Sequence, residues 1–245
     1  MELYIIRHAQ SSNNALRDQA DRVCDPHLTE LGRQQAARLA HHLANEPHPE
    51  QRHRSDPEQA SVETVEGYGI VKLYCSAMHR SLETATTIGS AIGIRPQVWT
   101  DLHEHGGLVL HHRDHRGVVG YAGMTRGQIE AEFPTAVIGD TVGDGGWWDP
   151  AAGEEDWPTC QGRAIRVSKE LWRWADDGVP GPIALVSHAG FMEALVKAML
   201  DHLPAADLTI YHLNTAITRM DVGPGRELHL RYLNRVPHLT QDLVS

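Results

Sequence analysis

The chain has 245 residues, of which 41% are hydrophobic and 22% charged, ordinary values for a globular protein with a sizeable core. Its 32 acidic residues outweigh 22 basic ones, a net charge of −10, which argues against a nucleic-acid or anionic-membrane partner, and no apolar run offers a transmembrane helix. Cys24, Cys75 and Cys160 fit neither a disulfide framework nor a zinc spacing, and the opening MELYIIRHAQ lacks the features of a signal peptide, so the expected location is cytoplasmic.

In chain order, ELYII (2–6) reads as a strand that breaks into the polar loop RHAQSSNN. From Leu28 the pattern turns helical, with Leu31, Ala36, Leu39 and Leu43 on one stripe and Thr29 as N-cap. Residues 45–69 are polar and proline-bearing, which predicts an exposed insertion. IVKLYCS is a second strand, followed by a helix from about Ser81 that Gly93 closes, and VWTDLHE is a candidate third strand. The segment 105–160 is rich in Gly, His and Trp and weakly periodic, with one helix, TRGQIEAEF, stopped by Pro134. A long helix is expected from near Thr159 to Asp176 with Ile165, Leu171 and Trp172 inward. The fully apolar PIALVSH reads as a strand buried on both faces, and the helix AGFMEALVKAML follows it. Strands near 208–222 and 226–233 finish the chain. Alternating strands and helices with buried strands predict one α/β domain over 1–245, a three-layer α/β/α arrangement with a mainly parallel central sheet.

Ligands of such sheets bind beyond the carboxyl ends of the strands. Three strand ends carry the chemistry: ELYII leads into Arg7 and His8, KLYCS through AMH to Arg80, and PIALVS into His188. Two guanidiniums and two imidazoles at one rim make an anion site with a nucleophile inside it. Arginine forks onto phosphate oxygens and follows their charge into the transition state. A neutral imidazole, with a reference pKa of ~6.5, can accept a phosphoryl group near pH 7. The leaving alkoxide needs a proton, and Glu104, in TDLHEHGG, is the best-placed carboxylate; Glu154 and Glu155 compete, although they more naturally begin a helix.

Together RHAQSSNN, LTELGRQQA, CSAMHRSLETA, DLHE and VSHAGFM, in that order and with NTAITRMDV and YLNRVPHL behind them, resemble the histidine phosphatase superfamily in its phosphoglycerate mutase-like branch. The resemblance implies a phosphohistidine at His8, a phosphate-binding set of Arg7, Arg80 and His188, and Glu104 as proton donor. Asn14, Ser11 and Ala189 match positions that help hold the phosphate. It also implies a small phosphorylated metabolite as substrate and no required cofactor or metal; 2,3-bisphosphoglycerate would serve as phosphodonor only in a mutase. Phosphatase is favoured over mutase, because the lysine- and glutamate-rich stretch of glycolytic mutases is not evident after Glu104. A non-catalytic phospholigand-binding protein is the third reading, and a homodimer is left open. The chain departs from the family in carrying Ala9 where Gly usually follows the first Arg-His, a change that matters only if the backbone there needs positive φ.

His103, His105, His111, His112 and His115 crowd thirteen residues, where a polar rim or a solvated loop is favoured over a metal site. Trp147, Trp148 and Trp157 suit either a lid over the pocket or a local apolar cluster. Arg113, Arg116 and Arg126 are candidate contacts to the distal part of an anionic substrate.

Overall fold

The computed structural model describes residues 1–46, 67–205 and 207–245. The first half runs β1 (Glu2–Arg7), α1 (Ser12–Ala15), α2 (Glu30–Asn45), β2 (Lys72–Cys75), α3 (His79–Ile92) and β3 (Gln97–Val98). Next come β4 (Val109–His111), β5 (Val118–Gly120), α4 (Arg126–Glu132), β6 (Val137–Ile138) and α5 (Trp157–Asp176). The chain closes with β7 (Ile183–Ser187), α6 (Ala189–Met199), β8 (Ile217–Val222) and β9 (Leu228–Arg235). Of the insertion expected at 45–69, residues 47–66 lie outside the described residues.

Seven strands form one sheet in the order β6-β3-β2-β7-β1-β8-β9. The five from β6 to β1 are parallel, and β8 and β9 add on antiparallel. All five residues of β7 are buried, which is why this apolar run sits between β1 and β2 rather than at an edge. Side-chain alternation along β1 divides the core: Tyr4 and Ile6 join Leu39, Leu43, Leu82 and Ile88 of α2 and α3 on one face. Leu3 and Ile5 join Val167, Leu171, Phe191 and Leu195 of α5 and α6 on the other. The expected three layers are therefore present, with the mainly parallel sheet in the middle. Among the described residues no helix is long and apolar enough to cross a membrane.

Local signals set several boundaries. Thr29 caps α2 by accepting the Gly32 amide at 2.9 Å, and Gly93 ends α3 in the left-handed region at φ 72°, a conformation glycine adopts without a Cβ penalty. Other expectations need correction. Helix α3 starts at His79 rather than about Ser81, which puts Arg80 in its first turn. VWTDLHE is only partly strand: β3 ends at Val98, and Thr100–Leu102 is a 3-10 turn. Segment 105–160 contains, besides α4, the antiparallel pair β4 and β5 and the edge strand β6, none of which shows periodicity at two or three residues in length. Ile165 is 39% exposed, not inward, because the buried stripe of α5 runs through Ala164, Val167, Ser168, Leu171 and Trp172. Strand β8 begins at Ile217 rather than near 208; the stretch before it runs as coil beside β1, where the His212 carbonyl accepts from Arg7 Nη1 at 2.6 Å.

Candidate active site

The chain leaves the sheet directly after Arg7, and the His8 amide donates to the Ser187 carbonyl at 2.9 Å, so the ends of β1 and β7 hold the His8 backbone in place. The His8 ring is 2% exposed and both its nitrogens are engaged. Nδ1 lies 2.7 Å from the Ala9 carbonyl, an acceptor only, so Nδ1 carries the proton. Arg80 Nε donates to Nε2 at 3.1 Å, so Nε2 presents a lone pair. Burial first, then the positive charges of Arg80 and Arg7, hold the His8 pKa well below 6.5. These partners fix a neutral imidazole with its lone-pair nitrogen turned toward a guanidinium.

The His188 ring, fully buried, stands with its centroid 4.9 Å from that of His8. Its Nε2 is 2.6 Å from Ser76 Oγ, whereas Nδ1 is buried with no partner. Burial, followed by Arg80, His8, His103 and Arg7, pushes the His188 pKa well below 6.5. When the Ser76 hydroxyl donates to Nε2, Nδ1 bears the hydrogen, a donor for an oxyanion. Arg80 is 8% exposed, and its nearest carboxylate oxygen, on Asp25, stands 3.8 Å from Nη1, too far to sequester the guanidinium by a hydrogen bond. Arg7 keeps a buried Nε without partner. Burial lowers the pKa of both arginines, yet guanidinium stays charged because its ordinary value is so high. Two such cations, Arg80 buried and Arg7 half-buried, are what a bound oxyanion would satisfy.

Glu104 reaches the same place from the turn after β3. Its Oε1 accepts the His105 amide at 2.9 Å and the Phe191 amide at 3.0 Å, the latter a first-turn N–H of α6 with no partner inside the helix. Gly190 makes this approach available, since a Cβ there would come within 2.8 Å of Glu104 Oε1. Oε2 accepts no hydrogen bond among the described residues, so a proton carried by Glu104 sits on Oε2.

Ser11 and Asn14 are linked: Ser11 donates to Asn14 Oδ1 from its amide and from Oγ, each at 3.0 Å. With Oδ1 so occupied, the Asn14 amide nitrogen is available as a donor. Ala189 is the first residue of α6, directly after His188, and its amide is one of the N–H groups the helix leaves unpaired. Ala9 is buried and outside the positive-φ residues, so its methyl group causes no backbone strain. Its amide donates to Thr84 Oγ1 at 3.1 Å, and Thr84 donates to the Arg80 carbonyl at 2.7 Å, which ties the His8 loop to α3. Ser76, Thr84, Gly190 and Asn214, whose side-chain amide donates to the His8 carbonyl at 3.0 Å, were not singled out by sequence reading. Ser76 and Thr84 flank Arg80 in CSAMHRSLETA, and a search for the partners of each site residue inside the motifs would have found them.

The competing carboxylates are occupied elsewhere. Glu155 pairs with Arg163 at 2.9 Å and 2.5 Å through two hydrogen bonds. Burial opposes its ionisation, but His103 and Arg163 outweigh it and hold its pKa at about 2. Glu154 contacts His111 at 3.2 Å on an exposed surface. The five crowded histidines do not converge: His103 bonds the Thr100 carbonyl, His105 stacks on Trp157, His112 faces Tyr121 and His115 is exposed. Trp147 and Trp148 both pack on His103. Arg113 meets Asp18, Arg116 meets Asp114, and Arg126 donates to the carbonyls of Ile138 and Gly139.

A sequence profile of the histidine phosphatase superfamily (branch 1) matches residues 3–66 and 58–235. The chain belongs to this superfamily. Within it, a glucosyl-3-phosphoglycerate phosphatase of Mycolicibacterium vanbaalenii is 27% identical over 81% of this chain and 73% of its own length. The mycobacterial glucosyl-3-phosphoglycerate phosphatase solved with VO3 superposes with a TM-score of 0.56 at 23% identity, over 96% of this chain and 99% of that one. A phosphoserine phosphatase variant from Entamoeba histolytica, solved with phosphoserine, gives 0.55 at 18% identity over 98% and 99%. The expected family and fold are thereby borne out.

Proposed function

We propose that this histidine phosphatase hydrolyses a small phosphomonoester through a phosphohistidine at His8. The observation that carries this reading is the pair of contacts on the His8 ring: a proton parked on Nδ1 by the Ala9 carbonyl and a lone pair on Nε2 facing Arg80. A phosphate bound between Arg7, Arg80, His188 and the Asn14 amide is screened enough for Nε2 to approach phosphorus. The N–P bond forms as the ester P–O bond breaks, and the proton on Glu104 Oε2 passes to the departing oxygen. Water then attacks the phosphohistidine, gives its proton to Glu104 and frees phosphate, which restores neutral His8. Two guanidiniums supply the positive charge and the neutral His188 ring adds an N–H donor, so no cofactor is called for.

Ser11 fixes Asn14, and Ala189 offers a backbone amide to the same oxyanion. We take 1–245 as one cytoplasmic catalytic domain in which segment 105–160 shapes access to the pocket; three free cysteines and Trp147 packed against the α2–α3 core support this reading. The name of the Mycolicibacterium relative makes phosphorylated sugar acids the first substrates to try. The test is a radiolabelled phosphodonor: acid-labile, base-stable label should appear on the wild type and be absent from His8→Ala. Rapid isomerisation of 3-phosphoglycerate with catalytic 2,3-bisphosphoglycerate, and little free phosphate, would overturn hydrolysis in favour of a mutase.

A further inference from the structure

Beside the catalytic pocket, a second set of donors closes on His79. We propose that His27, His79 and Glu132 form a binding site for a divalent transition metal of the zinc class. Their ligand atoms all lie within 4.8 Å of one another. They come from three separate places: the turn before α2, the first turn of α3 and the last turn of α4. His79 is the anchored member, 5% exposed. Its Nε2 meets Glu132 Oε1 at 2.5 Å, and the His27 ring lies over it with centroids 3.7 Å apart.

The other side of the His79 ring points to the same conclusion. Its Nδ1 lies 3.1 Å from Glu83 Oε2, an oxygen that also accepts the Leu28 amide at 2.7 Å. With both ring nitrogens on carboxylates, His79 is suited to carry both N–H protons; an arriving metal would displace the Nε2 proton, while Glu83 keeps the Nδ1–H and fixes the ring plane, the usual support of a metal-bound histidine. Two imidazoles and one carboxylate make a donor set suited to zinc; calcium and magnesium prefer oxygen alone. Tetrahedral bonds of about 2.0–2.1 Å put ligand atoms roughly 3.3 Å apart. The His79–Glu132 contact therefore opens slightly while His27 moves in, and both His27 and Glu132 have exposed side chains that can shift.

Such an ion would pin α4, part of segment 105–160, to the start of α3 one residue before Arg80. The link continues inward, because the His79 amide donates to Asp25 Oδ1 at 2.9 Å and that oxygen faces Arg80 Nη1. None of the three ligands is a residue proposed to hold the phosphate, and the site stands whether or not His8 is a nucleophile.

The test uses the chelator-stripped full chain, Zn2+ in competition with a chromophoric indicator, and the visible absorption of Co2+. One equivalent should bind tightly and give Co2+ bands of a nitrogen- and oxygen-ligated ion. His27→Ala and Glu132→Gln should each weaken that equivalent about tenfold or more, and Glu83→Gln about 10- to 100-fold through the lost support. Circular dichroism and thermal unfolding in chelator should match the wild type, which separates a lost ligand from a lost fold. A wild type without Co2+ bands overturns the proposal, as does one that binds Zn2+ no tighter than the His27→Ala/Glu132→Gln double variant. Bands that persist in that double variant place the metal elsewhere and overturn it equally.

Discussion

Gly190→Ala isolates the placement of Glu104, the proposed proton donor. The new Cβ would lie 2.8 Å from Glu104 Oε1 and 3.3 Å from His105 Cβ, where ordinary contact begins at 3.4 Å. The carboxylate is the softer neighbour, so it should retreat by about 0.6 Å and lengthen its bonds to the His105 and Phe191 amides. Stability should change little. Alanine gains up to about 1 kcal/mol over glycine in a helix, and the two hydrogen bonds to Oε1, weakened but not lost, together give back about as much. Rate should change more, because a misplacement of about 1 Å near the chemistry can cost on the order of 100-fold. We expect kcat for an alkyl phosphate, whose alkoxide needs the proton, to fall about 10- to 100-fold. Hydrolysis of p-nitrophenyl phosphate, whose leaving group departs unprotonated, should fall several-fold less. Glu104→Gln should show the same leaving-group dependence and so serves as the reference. Equal losses on both esters, or alkyl phosphate turnover at the wild-type rate, would refute the inference that the α6 terminus positions the proton donor.

Ser76→Ala removes the 2.6 Å contact to His188 Nε2; a lost hydrogen bond of about 1.4 kcal/mol predicts roughly a tenfold drop in kcat/KM, measured on p-nitrophenyl phosphate. Imidazole NMR should find His8 and His188 still neutral at pH 6.5, since burial and then Arg80 hold both pKa values down; a midpoint at or above ~6.5 contradicts this. His212 is held at about 4 by burial and then Arg7. Below pH ~6.5 the unfolded chain therefore takes up a proton that the native state refuses, so this contribution is full above pH ~6.5 and lost as pH falls toward the native value. Denaturant unfolding should lose up to about 2 kcal/mol from this group between pH 7 and 5, and His212→Leu should flatten that slope. Arg163 is 2% exposed, pairs with Glu155 and donates to the carbonyls of Asp101 and His103 on the way to Glu104. Arg163→Ala should cost about 3–5 kcal/mol and lower Tm by about 10 °C in a thermal melt, with unchanged Tm counting against a structural role for the pair.

The amino-acid order alone determined the α/β class and the central place of PIALVS, and it singled out the four nitrogen-bearing residues proposed for the pocket. Strand burial and motif order are local or collinear properties: Arg7, His8 and His188 stand where a strand gives out, and Arg80 stands in the helix turn that follows one. Glu104 was singled out too, though not the reason for its position, which is a free amide of a helix some ninety residues later in the chain. The short strands β4, β5 and β6 left no trace, because two or three residues cannot display a period and only pairing across space makes them strands. Ile165 was misread for a related reason: apolar character says that a side chain can be buried, while helix phase against α6 and the sheet decides which one is. The partners of the pocket were likewise a matter of the folded chain. Ser76 on His188, Asn214 on the His8 carbonyl and the Cβ-free gap at Gly190 arise from contacts between residues distant in sequence, and such contacts exist only once the layers have packed.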